Sequence, residues 1–382
     1  MKKCLCVFAL ICVLCVVFCG CDNSPGGITP SGVDNSGIEP ETTPNFLRFD
    51  ENGEFVILQI ADVHECLDQR FELLPENQKY IEDLIDASNP DLVVFTGDNI
   101  FPLSTIREIL QSDTLRTIDE FAKIMNKKQV YWTMTFGNHD DECLYTKEDQ
   151  TKRAMKASPD YFLGGFEDTE TFYAYFDATK TRMCQPYVGN YIFPIYTNDL
   201  SRVAYNVMVL DSGSVPDSSR NGRNAGSPYN HISQGQVDWY DATASKISSE
   251  NGDSLIPMVS FFHIACEEFQ FYLERWDNPD YVINWVGGNG YYYLPGEESA
   301  FFEKAVERGD MVGMFTGHNH DNHLSMLVKT ENQNMILSTT RQISSYGEAR
   351  VVKLKDDGSM TTYALNDKGE EITVLDQIDY VK

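Results

Sequence analysis

Short β-branched apolar runs alternate along the chain with longer segments whose apolar residues recur at helical spacing. The run Glu54–Ala61 (EFVILQIA) predicts a buried strand. Pro75–Ser88 begins with proline and has apolar side chains three and four residues apart, which predicts a helix. Because strands and helices continue to alternate, the pattern predicts an α/β protein. The series continues with predicted strands at Asp91–Thr96, Gln129–Thr135, Arg202–Leu210, Leu255–Phe262 and Met311–Thr316, and with predicted helices over 104–126, 233–250 and 298–308.

The final part of the chain contains a series of short apolar runs that are typical of strands. We expect these strands to form a second, largely antiparallel sheet. The runs are His323–Lys329, Asn334–Ser338, Ala349–Leu354 and Met360–Leu365.

The N-terminus has the layout of a secretory signal. Two lysines precede an apolar run from Cys4 to Cys19, which is too short and too abruptly ended for a transmembrane helix. The run leads into a Phe-Cys-Gly-Cys stretch ending at Cys21 that resembles a bacterial lipobox. The pattern therefore predicts a lipoprotein-type signal peptide over 1–20 and a lipid on Cys21. Ordinary secretion and a retained anchor are the alternatives.

A stretch rich in Ser, Gly, Pro, Thr and Asn predicts a flexible tether over 21–45. The remainder, 46–382, is predicted to be one globular domain, exported and held by its lipid at the cell surface or in the periplasm. An insert at about 143–200 and a polar stretch over 212–232 lack clear periodicity. Long loops in compact domains are usually functional, so we expect both to shape substrate choice.

The composition limits the possible partners. An apolar content of 42% is ample for a packed core, so the chain is not globally disordered. The net charge is −28, and it becomes −30 when the two lysines of the signal are removed. Broad nucleic-acid binding needs a basic surface that displaces counterions, so we expect no nucleic-acid partner. A metal site could still supply positive charge locally.

Four cysteines follow the predicted signal: Cys66, Cys143, Cys184 and Cys266. They permit three pairings, among which the sequence does not choose. Three of them stand two to four residues after a histidine. Disulfides, soft metal ligands and buried free thiols are therefore all consistent with the sequence.

Residues with metal-binding side chains cluster directly after five predicted strands. In open α/β sheets the loops at the carboxyl ends of the strands converge, so donors on five such loops can meet in one place. The clusters are Asp62-Val63-His64, Gly97-Asp98-Asn99, Gly137-Asn138-His139-Asp140, His263 and Gly317-His318-Asn319-His320.

The donor types indicate a pair of divalent metal ions. Carboxylate, imidazole and amide oxygen suit Mn, Zn, Fe or Mg. Two such ions about 3.5–4 Å apart clamp a phosphate ester and produce hydroxide near neutral pH. We expect one carboxylate to be shared by both ions, and Asp98 is the candidate. Alternate residues of an extended segment project the same way, so Asp62 is expected to act with His64, and His318 with His320.

The ordered set D-x-H, G-D, G-N-H-D, H and G-H-x-H resembles the calcineurin-like metallophosphoesterase superfamily over about residues 54–340. The resemblance implies a four-layer α/β/β/α sandwich of two mixed β-sheets flanked by helices. It also implies two divalent metal ions, of which Mn, Zn and Fe are favoured. One ion would be held by Asp62, His64, Asp98 and His320, and the other by Asp98, Asn138, His263 and His318.

By the same resemblance, His139 would contact the phosphate and protonate the leaving group, and Asp140 would orient it. A histidine without a metal to bind, beside a carboxylate, can stay protonated near neutral pH. The strings around Asp98 and His263 resemble a purple-acid-phosphatase-like branch. Purple enzymes have an iron-binding Tyr three residues after the shared Asp, where this chain has Phe101. We therefore expect no ferric purple centre.

The resemblance implies hydrolysis of phosphate monoesters or diesters outside the cytoplasm, with metal-activated hydroxide attacking phosphorus and His139 assisting the leaving group. A small-molecule phosphate ester is the expected substrate. The alternative is a lipid-tethered binding or scaffold protein that keeps the fold without the reaction. The presence of Asp98, His139 and Asp140 favours the enzyme. A nuclease would use the same metal chemistry but fits poorly with the negative charge.

Three other features allow more than one interpretation. Arg341 follows a predicted strand and could bind phosphate with two hydrogen bonds. The run Tyr291–Tyr293 could line a substrate cleft or pack in the core. The acidic pair Asp141 and Glu142 is expected to be solvated charge.

Overall fold

The computed structural model describes residues 47–67, 72–101, 114–143, 145–165, 188–214, 229–288 and 291–378. Residues Pro44–Lys382 form one compact unit, and every described residue belongs to it. The predicted signal peptide and tether, 1–20 and 21–45, lie outside the described residues. Across the described ranges, no helix combines the length and the apolar character needed to cross a membrane.

The described residues form thirteen strands and seven α-helices, which we number in chain order. The strands are β1 (Glu54–Ile60), β2 (Leu92–Thr96), β3 (Tyr131–Thr135), β4 (Tyr191–Tyr196), β5 (Val203–Val209), β6 (Met258–Phe261), β7 (Val282–Val286), β8 (Met311–Thr316), β9 (Ser325–Lys329), β10 (Asn334–Thr339), β11 (Glu348–Lys355), β12 (Met360–Asn366) and β13 (Glu371–Ile378). The helices are α1 (Pro75–Ser88), α2 (Thr114–Lys128), α3 (Lys147–Ala157), α4 (Gln234–Glu250), α5 (Glu267–Leu273), α6 (Phe301–Arg308) and α7 (Ile343–Tyr346). The predicted alternating series is present, except that 104–113 of its second helix lie outside the described residues.

Two mixed sheets contain all of these strands. The first has the order β13-β12-β11-β1-β2-β3, with β1, β2 and β3 parallel, as the alternating pattern predicts, and β11 antiparallel to β1. The second has the order β4-β5-β6-β8-β10-β9-β7. Its inner strands β5, β6, β8 and β10 are parallel, whereas β4, β9 and β7 run antiparallel to their neighbours.

Alternating side chains separate the two faces of each sheet. In β1, Ile57 is buried in a cluster shared by both sheets, whereas Leu58 packs in a cluster that includes residues of α1 and α2. In β5, Val207 joins the cluster between the sheets and Met208 packs with residues of α4 and α6. The chain is therefore the four-layer α/β/β/α sandwich that the resemblance implies.

The expectation that the last strands form a sheet of their own is wrong. β9 and β10 extend the second sheet beside β8, while β11, β12 and β13 extend the first sheet beside β1. An alternating apolar pattern indicates that a segment is a strand, but it does not specify which strand becomes its neighbour.

The described part of the insert at 143–200 contains regular structure, contrary to the expectation of a long loop. α3 begins with a capping box in which the Thr146 hydroxyl accepts the N–H of Asp149 at 3.2 Å. The insert also contributes β4, the edge strand of the second sheet. α3 was missed because its sequence, KEDQTKRAMKA, has few apolar residues. Residues 166–187 lie outside the described residues.

Candidate metal centre

The five predicted clusters meet at one edge of the sandwich, beyond the carboxyl ends of five strands. Loops after β1, β2 and β3 belong to the first sheet, and loops after β6 and β8 belong to the second. The candidate site therefore lies at the seam between the two sheets. In order, these loops carry Asp62 and His64, Asp98, Asn138, His263, and His318 with His320.

Four side chains form a first donor group. Asp62, His64, Asp98 and His320 each offer one ligand atom, and these atoms all lie within 4.8 Å of one another. Nε2 of His64 is 3.7 Å from Oδ1 of Asp62 and 3.3 Å from Oδ2 of Asp98. Nε2 of His320 is 3.4 Å from Oδ1 of Asp62. Two carboxylates and two imidazoles in this arrangement suit one divalent cation.

A second donor group shares Asp98 with the first. Its other members are His263 and His318. Nε2 of His263 is 3.3 Å from the same Oδ2 atom of Asp98 that faces His64. Asn138, only 6% exposed, lines the same cleft as Asp98 and His318. One carboxylate therefore faces both groups, as the sequence predicts for a bridging ligand.

Orphaned donor atoms provide a test of whether metal ions fit. A buried polar atom without a hydrogen-bond partner costs about 1–3 kcal/mol. Bound cations would satisfy several such atoms together, and the mixture of carboxylate, imidazole and amide oxygen suits divalent Mn, Zn or Fe. The residues thus fit two divalent metal ions. Within the described chain, the buried site atoms without a hydrogen-bond partner are Oδ1 of Asp62, Oδ1 of Asn138, Nε2 of His263 and Nε2 of His318.

Ligand atoms that face away from the proposed metal positions form hydrogen bonds with neighbouring groups. Nδ1 of His263 lies 2.9 Å from the carbonyl oxygen of Thr96, which leaves Nε2 directed toward Asp98. Oδ2 of Asp62 accepts the backbone N–H of His318 at 2.9 Å, and this bond joins the first sheet to the second. The ligands are therefore positioned by hydrogen bonds that leave the site-facing atoms available.

Left-handed backbone turns direct four of the ligands into the site. The φ angles of Asp62, His64, Asp98 and His318 are 55°, 49°, 48° and 68°. The expectation that Asp62 and His64 converge because their segment is extended is therefore wrong. Non-glycine residues in this conformation are strained by about 1–2 kcal/mol each, and they persist only where the surrounding fold dictates them.

Glycines in two of the sequence clusters are explained by contacts with ligand carboxylates. A Cβ added to Gly137 would lie 2.2 Å from Oδ1 of Asp98, and one added to Gly317 would lie 2.7 Å from Oδ2 of Asp62. No side chain fits at such distances. The glycines of the G-N-H-D and G-H-x-H motifs therefore allow the backbone to approach the ligands.

His139 lies in the cleft but belongs to neither donor group. Its backbone N–H donates to Oδ1 of Asp98 at 2.8 Å, and its Nε2 lies 3.9 Å from Oδ2 of the same residue. On the other side of the ring, Nδ1 lies 3.2 Å from Oε2 of Glu142. The ring thus has one nitrogen beside a carboxylate and the other directed toward the shared metal ligand.

The prediction that Asp140 orients the ring of His139 requires correction. The Asp140 carboxylate is buried and accepts backbone N–H groups from Gly137 at 2.8 Å and Asn99 at 3.1 Å. Burial, together with the charge of Asp98, raises the pKa of Asp140 to about 7. The 3₁₀ turn Asp140–Glu142 instead brings its last residue to the ring, so Glu142 is not plain solvated charge.

Burial and neighbouring charges shift the pKa values of the centre in opposite directions. Burial alone would lower the pKa of His139, but Glu142 and Asp98 outweigh it and raise the pKa. Burial alone would raise the pKa of Asp98, but His263 holds it well below its usual range. Burial opposes the charge of Asp98 at His263, whose pKa rises to about 9. Burial and then His263 lower the pKa of His318 to about 3.

Two residues at the site were not identified from the sequence. The side-chain amide of Gln342 lies 3.0 Å from Nδ1 of His64. When Nε2 of His64 holds a metal ion, Nδ1 would carry the proton and donate it to the amide oxygen of Gln342, turned toward the ring, which would orient the ligand. Tyr229 meets the ring of His318 edge-on, with 4.5 Å between centroids. Nothing in the sequence marks Gln342, because it stands in the turn between β10 and α7, far along the chain from His64.

The structure also places Phe101 and Arg341, two other residues considered in the sequence. Phe101 stacks on His64 with 5.4 Å between ring centroids, and its side chain offers no oxygen ligand where purple enzymes have Tyr. Arg341 donates to Oε1 of Glu348 at 3.0 Å and to the Asp321 carbonyl at 3.2 Å, so its guanidinium serves contacts other than phosphate.

The cysteines are the last of these candidates. Cys66, Cys143 and Cys266 are free thiols and belong to neither donor group, which excludes disulfides and metal ligation for these three in the described structure. Cys184 lies outside the described residues.

The fold and the donor groups together define a dimetal phosphoesterase architecture. The chain belongs to the calcineurin-like phosphoesterase family, which matches residues 55–322. A dimetal phosphatase from Danio rerio has the same fold, with a TM-score of 0.51 at 12% identity, covering 86% of this chain and 99% of its own. That likeness concerns the fold alone.

The chain is also similar to two proteins from a plant and one from yeast. Probable inactive purple acid phosphatase 29 of Arabidopsis thaliana is 29% identical over 72% of this chain and 69% of its own length. Probable inactive purple acid phosphatase 28 of the same plant is 27% identical over 75% of this chain and 70% of its own. Phosphatase DCR2 of Saccharomyces cerevisiae is 31% identical over 45% of this chain and 29% of its own.

Proposed function

We propose that the protein is a dimetal-dependent hydrolase of phosphate monoesters or diesters that acts outside the cytoplasm. The observation that carries the proposal is the pair of donor groups sharing Asp98, with orphaned ligand atoms directed into both. When bound, two divalent ions would neutralise charge on the phosphoryl oxygens and activate water as a nucleophile. Seven protein residues would hold them: Asp62, His64, Asp98, Asn138, His263, His318 and His320.

The side chains of the cleft have separate tasks in this proposal. Asp98 presents its Oδ2 to both groups and so fixes the spacing between them. His139 belongs to neither donor group, and its Nε2 would contact the phosphate and donate a proton to the leaving oxygen. Glu142 holds Nδ1 of the same ring and would keep it in a productive orientation. Phe101 stacks against the ring of His64 and would restrict its rotation.

The two plant relatives are named probable inactive phosphatases, which is consistent with the alternative of a binding or scaffold protein. Loss of catalysis in such a fold would first affect the shared ligand or the proton donor. Here Asp98 and His139 are both present, and both lie in the cleft. Their presence supports a catalytic protein.

We also propose that the protein is exported and anchored to a membrane by a lipid on Cys21. The apolar run ending at Cys21 supports export and lipidation, with residues 21–45 as a tether. We expect the full chain expressed in a bacterium to incorporate labelled fatty acid and to sediment with membranes. A Cys21→Ser variant should lose the label. Equal labelling of both proteins would refute lipidation at this residue.

The metal centre is tested with the full-length chain purified without chelator and loaded with Mn²⁺. We expect about two equivalents of bound metal and turnover of an aryl phosphate monoester or diester. Asp98→Asn should lose both metal and activity, whereas His139→Ala should keep the metal and lose at least about 100-fold in kcat. Absence of bound metal would refute the proposal, and bound metal with no turnover of either ester would favour the scaffold alternative.

A further inference from the structure

We propose that a wall of tyrosines beside the metal centre selects phosphate esters whose leaving group is an uncharged aromatic ring. This inference rests on the proposed phosphoesterase function and specifies its substrate class. The cleft above the centre has a volume of about 470 Å³. Its lining includes the buried candidate metal donors Asp98 and His318, together with Tyr229 and the exposed Tyr291 and Tyr293.

The backbone around residue 292 explains how this wall is formed. Tyr292 is 1% exposed and its hydroxyl lies 3.0 Å from Oγ1 of Thr339, so it is anchored in the core. Its two neighbours project the other way and are 72% exposed at Tyr291 and 59% exposed at Tyr293. Alternation of this kind is expected of an extended segment. Tyr291–Tyr293 therefore both lines the cleft and packs in the core, and alternate residues take the two roles.

Hydrogen bonds hold the wall in position relative to the metal centre. Oδ1 of Asn319 accepts the backbone N–H of Tyr293 at 2.9 Å, and Asn319 directly follows the proposed ligand His318. The carbonyl of Tyr229 accepts the N–H of Gly296 at 3.0 Å, which joins the two tyrosine-bearing segments. The wall is thus attached to the same loop that carries a metal ligand.

Ring positions show that the aromatic surface begins at the candidate metal ligand His318. The rings of Tyr229 and His318 meet edge-on with 4.5 Å between centroids, and Tyr293 lies 6.3 Å from His318. Tyr291 extends the wall outward, 5.8 Å from Tyr293. Adjacent exposed aromatic rings beside a polar centre are typical of ligand-binding surfaces. A planar ring attached to the phosphate would contact these faces and edges directly.

The charge of the cleft favours a neutral leaving group. Among the residues described by the structure, no Lys or Arg lines the cleft, whereas Asp321 contributes a carboxylate at its rim. A second phosphate or a carboxylate on the leaving group would meet no Lys or Arg among the described lining residues and would be repelled by Asp321. The metal ions would therefore receive the single phosphoryl group, and the tyrosines an uncharged ring.

The test measures binding of non-hydrolysable phosphonates to the Mn²⁺-loaded full chain by calorimetry. Phenylphosphonate and cyclohexylphosphonate match in size and charge but differ in planarity and π-electrons. We expect the phenyl compound to bind about 5–10-fold more tightly. The double variant Tyr291→Ala/Tyr293→Ala should bring this ratio near one, and Tyr291→Phe/Tyr293→Phe should preserve it. A 4-carboxyphenyl analogue should bind several-fold more weakly than phenylphosphonate.

Binding of inorganic phosphate distinguishes a failure of the proposed phosphoesterase function from a failure of the aromatic selectivity. Phosphate would occupy the metal site without touching the wall. Its affinity should be the same in the wild type and in both tyrosine variants. The aromatic selectivity alone would be overturned if the chain binds phosphate but has equal affinities for the two phosphonates. It would also be overturned if the ratio of the two phosphonate affinities is the same in the alanine variant as in the wild type. Failure of the metal-loaded chain to bind phosphate would overturn the proposed function and the selectivity with it.

Discussion

Glu142 and His139 form a side-chain pair in the cleft, with 3.2 Å between Oε2 and Nδ1. The two residues are three positions apart, and the 3₁₀ turn Asp140–Glu142 brings them together. Because Glu142 belongs to neither donor group, its contact with the ring does not depend on a metal ion.

Replacing Glu142 with Gln should lower kcat about 10-fold while the metal content stays at about two equivalents. The neutral amide contacts the ring but no longer favours its protonated, correctly oriented state. Steady-state kinetics together with metal analysis would measure both quantities. Glu51→Gln, an exposed change in a turn, is the matched control and should leave kcat unaltered. Equal kcat values in the two variants would show that Glu142 has no positioning role.

Gln342→Leu should weaken metal binding about 10-fold. The amide of Gln342 lies 3.0 Å from Nδ1 of His64, and outer partners of this kind orient a ligating imidazole. Competition with a chromophoric chelator would give the affinity of each variant. Gln78→Leu, on the exposed surface of α1, serves as the control. If Gln342→Leu binds metal as tightly as the wild type, the contact does not support the ligand.

Chelation should lower the melting temperature of the wild type by about 5 °C or more. Both donor groups take ligands from both sheets, so metal binding stabilises only the assembled sandwich. Differential scanning calorimetry with and without chelator would show the shift. Asp98→Ala removes the shared ligand, and its melting temperature should not respond to the chelator. If the melting temperature of the wild type is the same with and without chelator, the bound metal does not join the two sheets.

Glu268→Gln should stabilise the protein at pH 8 by roughly 1–2 kcal/mol, since the half-buried position leaves part of the effect screened by solvent. Burial raises the pKa of Glu268 to about 7, and Glu267 and Glu303 add to the rise. A carboxyl whose folded pKa exceeds its unfolded value makes stability fall as the pH increases from about 4.5 through 7. Urea unfolding at pH 5 and pH 8 would measure the difference. A variant with the same pH dependence as the wild type would show that Glu268 does not cause it.

The convergence of the candidate ligands could be predicted from the sequence, because each candidate stands shortly after a strand that its own apolar residues indicate. A strand of apolar residues ends, a glycine permits a close approach, and a ligand follows, as in Gly137-Asn138. The sharing of Asp98 between two donor groups was also predicted, because two adjacent divalent ions need a common carboxylate and the second cluster offers Asp98.

Features that depend on distant pairing could not be predicted in this way. Gln342 reaches His64 across 278 positions of sequence, and no local pattern reports such a contact. The neighbours of β11 are equally invisible, because β1 stands almost 300 residues earlier in the chain. The direction of a side chain within a turn could not be predicted either. For this reason the sequence indicated Asp140 as the partner of the His139 ring, whereas the structure shows Glu142 in that place.

The position of the candidate centre at the seam between the sheets has a consequence for how the protein matures. The donors extend from Asp62 to His320, and each group includes residues from both halves of the sandwich. A ribosome must release nearly the whole domain before either ion has its full set of ligands. The complete donor sets would therefore exist only in the finished domain, and not in a nascent segment. The proposed ions would be taken up in the compartment in which folding is completed.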